Sequence, residues 1–349
     1  MANRKDVAKL AGVSEATVSR VLNGIGPMKE STRQRVMAAA KQLNYELNAI
    51  AANFARGRSG NLGVVLPTLP KVHLFSTHYF SEILGGIGEA VRAKGYGLLL
   101  LFRDPEEVFD YVSLFRTQRV DACIVLGASA LPTEREAMER LAGENLPICV
   151  MDQRFEGLNI CSVATNHEQG SYEAVKHLIH NGYRRIGFIN GSLQYSNSTD
   201  RLAGYSKAIQ EAGIPYDASI VYQGNYSRTS GRRVANSVYE DLHKLDALFV
   251  ANDRMAIGLI QGLREKGVQL PEQLAIVGFD DSDAASMTEP QLTTVKVPFY
   301  EMGRQATERL LTRISTSEHE NEQPPFHEIL DTQLIIRKSC GTVKDQLTQ

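Results

Sequence analysis

Polar side chains that stand where an apolar run ends are the first candidates for chemistry in this sequence. Asp280 and Asp281 follow LAIVGF, Asn252 and Asp253 follow ALFVA, and Asp152 follows PICVM. After IGFING comes SLQYSNSTD, read as a loop that ends in Arg201. An arginine with several carboxylates or amides makes paired hydrogen bonds to vicinal hydroxyls, and an aromatic face stacks on the C–H groups of the same ring. Each residue also has a plainer role: Asn252 or Asp253 can cap the helix that starts near Arg254, Asp281 can serve the following turn, and Asp152 can pair with a nearby arginine. The eight histidines do not cluster, the cysteines Cys123, Cys149, Cys161 and Cys340 lack metal-ligand spacing, and no serine, histidine and acid stand together at strand ends. Neither a metal, a cofactor nor an enzymatic activity is expected.

A second set lies near the start, in RKDVAKLAGVSEATVSRVLN at 4–23. Val7, Ala8, Leu10 and Ala11 recur at helical spacing, Gly12 stands where the chain must turn, and Ser14 can cap the next helix. Val18, Val21 and Leu22 give that helix a buried face and leave Glu15, Ala16, Thr17, Ser19 and Arg20 outward. Small and hydrogen-bonding side chains on the first turns are what a helix in a DNA major groove requires. Arg20 suits guanine, Glu15 accepts only from a donor such as the cytosine amine, and Ala16 reads little beyond a thymine methyl. A surface helical hairpin with no such role has the same spacing.

The elements that must position these groups follow from periodicity. A loop, GIGP, precedes a third helix over Glu30–Asn44 with Val36, Ala39, Ala40 and Leu43 on one face. Ser31 and Thr32 stand near its start, where backbone N–H groups favour anions. From Leu62 the texture changes to short apolar runs at 62–67, 97–102, 122–127, 147–152, 186–191, 247–252 and 274–279. Between them lie helical patterns at Phe80–Lys94, Gln169–Asn181, Arg201–Ala212, Ser230–Leu242, Arg254–Lys266 and Tyr300–Ile314. Near-continuous apolar strands alternating with helices predict parallel sheets covered on both faces, with ligands beyond the carboxyl ends of the strands. GGIGEA at 85–90 falls inside a helical pattern, so the dinucleotide-binding fingerprint fails.

The 349 residues, 43% hydrophobic and 22% charged, are ordinary globular material for two or three domains. No run reaches the roughly 20 apolar residues of a membrane span, and the basic start lacks an apolar signal core, so a cytoplasmic protein without membrane association is expected. The net charge is −2, unevenly placed: residues 1–58 hold ten lysines and arginines against four acidic residues. A basic head on an acidic body confines phosphate binding to the head.

KDVAKLAGVSEATVSRVLNG closely resembles the opening of bacterial regulators of the LacI/GalR family, and the resemblance continues along the whole chain. It implies a helix-turn-helix head over 1–47, a hinge helix and linker over 48–59, and a bilobal, periplasmic-binding-protein-like body over 60–340 with two parallel-sheet lobes. The N-lobe would take about 60–160 and 292–323, the C-lobe about 161–291 and 324–340. The family also implies phosphate contacts from Asn23 and Thr32, and a hinge in which Ala51 and Phe54 touch the minor groove, Phe54 as an unstacking wedge. The chain departs from the family pattern at Leu47, Ala52 and Asn53, which bears on affinity and bend.

In the body, the strings SNSTDRLAGY and IVGFDD match family segments whose arginine and first aspartate lie on the ligand, here Arg201 and Asp280. Asn252 joins them by the same resemblance, and Asp152 is a candidate from its place at a strand end. Tyr226, in QGNYS, matches a position where relatives stack an aromatic ring, and Phe299 with His78, Tyr79 and Phe80 fall near ligand-facing positions. A sugar or sugar derivative is the leading effector, and a purine or nucleoside the second. The resemblance further implies a homodimer on a pseudo-palindromic double-stranded operator, controlled by lobe closure acting through the hinge. Residues 341–349 lack a leucine heptad, so a dimer is expected and not a tetramer. A sugar receptor without DNA function, the remaining alternative, would not need residues 4–58.

Overall fold

The computed structural model describes residues 2–24, 26–45, 57–69, 73–315 and 324–341. The head comprises α1 (Arg4–Ala11), α2 (Glu15–Asn23) and α3 (Glu30–Gln42). Asn3 and Asp6 form a reciprocal capping box at the start of α1, and Gly12 ends it at φ +64°, a left-handed conformation that favours glycine. Ser14 Oγ accepts from the Thr17 N–H at 3.1 Å and starts α2. Val7, Ala11, Val18, Val21, Val36 and Ala39 form a core of the head's own. Leu10, expected on the buried face, is instead 47% exposed.

The body begins with β1 (Asn61–Pro67), α4 (His78–Ala93), β2 (Gly97–Arg103), α5 (Tyr111–Arg116), β3 (Ala122–Val125), α6 (Pro132–Ala142), β4 (Ile148–Met151) and β5 (Cys161–Thr165). It continues with α7 (His167–His180), β6 (Ile186–Asn190), α8 (Ser196–Glu211), β7 (Val221–Gln223), α9 (Arg228–Glu240), β8 (Ala247–Val250), α10 (Asp253–Glu265), β9 (Ala275–Asp280) and α11 (Asp283–Met287). It closes with β10 (Thr293–Lys296), α12 (Phe299–Ser315), β11 (His327–Leu330) and β12 (Gln333–Ile335). The strands form two six-stranded sheets, ordered β11-β5-β4-β3-β1-β2 and β12-β10-β9-β8-β6-β7. Among the described residues all pairings are parallel except β10 with β12. Helices cover the sheets, so β3, β4, β6, β8 and β9 are buried along their whole length.

The sheets correct the expected lobe boundaries by one strand each. β5 belongs to the N-lobe sheet and β10 to the C-lobe sheet, while β11 pairs with β5 in the N-lobe. The chain therefore changes lobe at 166, near 297 and near 331. β5 was obscured because its burial alternates along CSVAT, and β10 because two threonines begin it. Both threonines are nonetheless fully buried, with Thr294 Oγ1 donating to Asp253 and Thr293 Oγ1 to the Cys340 sulfur. A second correction concerns SLQYSNSTD: residues from Ser196 onward are the first turns of α8, so Arg201 projects from a helix and not from a loop end.

GGIGEA lies inside α4, as its helical pattern implied, and its glycines serve packing. A Cβ on Gly86 would lie 1.9 Å from the Tyr300 carbonyl oxygen, and one on Gly303 would lie 2.2 Å from that of Ile83. α4 and α12 thus meet backbone to backbone. All four cysteines are buried free thiols. Among the described residues no helix is long and apolar enough to cross a membrane.

Candidate functional site

At the head, Glu15, Ala16 and Arg20 are exposed along α2, while Thr17 and Ser19 are half-buried. Ser14 is engaged as the cap of α2, its hydroxyl also lying 2.9 Å from Thr17 Oγ1. The Asn23 amide donates to the Ser19 carbonyl at 2.8 Å and to its hydroxyl at 3.2 Å, so that end of the side chain faces its own helix. Thr32 lies half-buried in the first turn of α3, its N–H donating to the Lys29 carbonyl. Glu15 Oε2 lies 3.4 Å from Arg4 Nε, a partner the sequence reading did not supply. Ala51 and Phe54, with Leu47, Ala52 and Asn53, lie outside the described residues.

In the body, a cavity of about 170 Å³ opens between the lobes. A single water needs roughly 10–15 Å³, so the space suits a small organic molecule. Arg201, Asp280, Asn252, Tyr226, Asp152, Phe299, Tyr79 and Phe80 all border it. They arrive from the carboxyl ends of β4, β8 and β9, from the loop after β7, and from the helices α4, α8 and α12, where ligands of open α/β sheets are found. Asp281, one residue on, does not border the cavity and accepts from Arg337 Nη2 at 2.6 Å.

The polar side of the cavity is a connected network. Arg201, 2% exposed, donates from Nη1 to the Tyr226 hydroxyl at 3.2 Å and from Nη2 to His167 Nδ1 at 3.2 Å. With Nδ1 accepting, His167 carries its proton on Nε2 and donates it to Asp152 Oδ1 at 2.6 Å. Asp152 Oδ2 also accepts from Asn197 Nδ2 at 3.1 Å. Burial pushes His167 below its ordinary value, with the charge of Arg201 adding to it against the pull of Asp152. Burial would raise Asp152, but His167 first, then Arg201 and Asn197, hold it at about 2.

Asp280 has a different environment. Its Oδ1 lies 3.9 Å from Arg201 Nη2, too far for a hydrogen bond, and burial raises its carboxyl well above the usual range, with Asp253 adding to the shift and Arg201 opposing it. Asp280 and Tyr226 both occupy positive φ, +113° and +65°, conformations that cost energy for non-glycine residues and cluster at sites. The Tyr226 ring lies over Gly191, where a Cβ would stand 2.0 Å from the ring.

Asn252 and Asp253 divide their work in a way the sequence left open. Asn252 Oδ1 caps α10 by accepting from the Met255 N–H at 2.9 Å, and its amide donates to the Tyr226 carbonyl at 3.2 Å. Asn252 therefore borders the cavity while holding Tyr226 in place. Asp253 is fully buried and accepts from Ser282 N–H, Ser282 Oγ and Thr294 Oγ1. Burial, only partly offset by those bonds, raises its carboxyl to about 7. It borders the cavity, but its oxygens are taken up in fastening the turn after β9.

The opposite wall is aromatic. Phe299 makes edge contacts with His78 and Tyr79 at ring separations of 5.8 and 5.2 Å, and Tyr79 does so with Phe80 at 4.9 Å. One polar wall and one aromatic wall can hold a ring by hydrogen bonds on its edge and stacking on its face.

His167, Asn197 and Arg254 were missing from the sequence reading. His167 follows β5, a strand too polar to be read as an apolar run. Asn197 lies in a segment whose composition reads as loop, and Arg254 in the first turn of a helix, where no spacing marks it out.

Residues 4–48 match the family described as bacterial regulatory proteins, lacI family, and residues 175–340 match a periplasmic binding protein-like domain. The HTH-type transcriptional repressor PurR of Haemophilus influenzae is 33% identical over 347 residues, 98% of this chain and 100% of that protein. The lac repressor dimer bound to operator and the anti-inducer ONPF is similar with a TM-score of 0.82 at 28% identity, over 98% of this chain and 99% of that one. A complex of the transcriptional regulator CelR with cellobiose has a TM-score of 0.71 at 29% identity, over 97% of this chain and 100% of that one.

Proposed function

The chain belongs to the lacI family of bacterial regulatory proteins, and from that premise we propose that it is a repressor of sugar-utilisation genes. It is a DNA-binding transcriptional regulator with a helix-turn-helix head, a body that takes a small-molecule effector, and a homodimer as its working unit. The proposal adds that the effector is sugar-like and binds between Arg201, Asp280, Asp152 and Tyr226 on one side and Tyr79, Phe80 and Phe299 on the other, Asn252 supporting Tyr226. The observation that carries this is the convergence of a guanidinium, two carboxylates and a tyrosine from separate strand ends on one cavity faced by aromatic rings. CelR, seen with cellobiose, supports the chemical class.

At the DNA, Arg20, Glu15, Ala16, Thr17 and Ser19 read the major groove, Ser14, Asn23 and Thr32 position the head on phosphates, and Ala51 and Phe54 of the hinge meet the minor groove. The protein works in the cytoplasm as a regulator and not an enzyme. A purine or nucleoside effector is the second reading, favoured by the paired rings of Phe299 and Tyr79 and by the relatives named PurR.

Selection of bound genomic fragments by the purified protein at near-physiological salt tests the first part. A recurring pseudo-palindrome is expected, beside genes for sugar uptake or breakdown. Retention without a shared site counts against sequence-specific regulation, and sites beside purine genes shift the effector to the second reading.

A further inference from the structure

Arg254, the second residue of α10, borders the cavity from the C-lobe and is half-buried. Its Nη1 donates to Thr77 Oγ1 of the N-lobe at 3.2 Å, and among the described residues no carboxylate lies within ion-pair distance of it. Arg103, Arg304 and Arg337, likewise buried or half-buried, each pair with an acid: Glu134, Glu301 and Asp281. Arg201, the second guanidinium of the cavity, is only loosely paired. Its Nε is buried without a hydrogen-bond partner, and its nearest carboxylate stands off at 3.9 Å.

The cavity's acids do not balance these two cations. Asp152 is ionised and stands with Arg201, its oxygens taken by His167 and Asn197, and Asp253 is engaged by Ser282 and Thr294, so neither pairs with Arg254. Asp280 faces the space between the arginines, and burial works against its ionised form. Burial lowers Arg254 as well, with the neighbouring Arg228 adding to that shift and Asp280 opposing it. A half-buried guanidinium without a counter-charge is costly, and the positive end of α10, thirteen residues long, points the same way.

We propose that the effector is an anionic sugar, carrying a carboxylate or a phosphate that Arg254 receives together with Arg201. The inference rests on the sugar reading above and narrows it. Arg201 reads the ring from the polar wall, while Arg254 sits where a substituent at the edge of the ring meets the other lobe at Thr77. The bound anion would then tie both lobes through one residue.

Titration calorimetry on the full chain at fixed ionic strength tests this with three kinds of probe. Inorganic phosphate alone is expected to bind above a chloride-matched control. Arg254→Gln, which keeps a donor for Thr77 but removes the charge, should weaken it at least tenfold, and Arg254→Lys should restore much of the loss. Arg232→Gln, at an exposed pair with Glu265, is the surface control and should leave it unchanged. D-Glucose and D-galactose are then compared with their uronates and 6-phosphates. At least one anionic member should exceed its neutral parent tenfold or more, with the ratio falling towards one in Arg254→Gln. Uronate and phosphate arms separate the two sources of the charge. Phosphate binding that is absent, or equal in Arg254→Gln, overturns the proposal. A neutral sugar that binds as tightly as its anionic partners overturns it and leaves the sugar reading standing. Binding of hypoxanthine or adenosine with no sugar of either kind overturns the sugar reading and the proposal together.

Discussion

Arg201 illustrates how much of the cavity depends on one side chain. It touches Tyr226, His167 and the field of Asp280 at once, and its guanidinium lies 4.3 Å from the Phe279 ring. Truncation would leave Tyr226 and His167 without their donor and Asp280 without its nearest cation. Arg201→Ala is therefore expected to weaken effector binding at least a hundredfold, about 3 kcal/mol, in the range for a charged hydrogen-bonding group removed from buried partners. The head has a separate core, so operator binding by the ligand-free protein should persist. Calorimetry with the identified effector checks the first statement and an operator shift assay the second; a loss below threefold would remove Arg201 from the site. Asp253 offers a test of a different kind. Its folded value of about 7 lies above the unfolded 3.8, so between those values the folded chain keeps a proton that the unfolded chain releases. Its contribution is fully present below the unfolded value and is lost as pH rises towards 7. Relative to Asp253→Asn, wild-type stability should fall with pH across that window by up to about 1.4 kcal/mol per pH unit. Urea unfolding of both proteins from pH 4.5 to 7 measures it, and parallel profiles would contradict the buried, protonated state.

Among the elements, α2 can be tested through its cap. Ser14→Ala removes the acceptor for the Thr17 N–H and should lower the stability of the head by about 1 kcal/mol. Faster amide exchange confined to the first turn of α2 is the expected signature, whereas Arg20→Ala should change which operator is selected and leave exchange alone. These helices were legible because Gly12, Ser14 and the apolar spacing agree with one another. The seven apolar strands were legible as near-continuous apolar runs, β3, β4, β6, β8 and β9 because they are buried on both faces, and β2 although one of its faces is exposed. β7, β11 and β12 were not, since they lie at or near sheet edges and carry mixed polarity, as in HEIL and QLI. The alternating burial of β5 also conceals His167, which stands just past its carboxyl end. The eight expected cavity residues were found by strand ends joined to a family resemblance. What the residues alone could not tell was division of labour: that Asn252 caps and Asp253 fastens, and that Arg254 has no acid beside it. Those facts depend on which side chains meet across chain separations of tens to hundreds of residues, as in Arg254 with Thr77.

For the whole molecule, dimerisation requires a surface, and β2 supplies one with an unusual pattern. It is the edge strand of the N-lobe sheet, and its side chains alternate: Leu99 and Leu101 pack inward, while Leu98, Leu100 and Phe102 are 40%, 37% and 51% exposed. Three large apolar groups on one face of an unpaired edge are a liability for a monomer and suit contact with a second copy of the chain. A twofold contact places the same strand from each protomer in one interface, so a single substitution enters it twice. Phe102→Glu is expected to shift the protein from dimer to monomer at micromolar concentration in sedimentation velocity. Because each head reads half of a pseudo-palindrome, operator affinity should fall by at least a hundredfold in the same variant, while effector binding changes less than threefold, since Phe102 does not border the cavity. Tyr239→Glu, exposed on the C-lobe helix α9, is the comparison. If it dissociates the dimer and Phe102→Glu does not, the protomers meet through the C-lobe and β2 is not the interface.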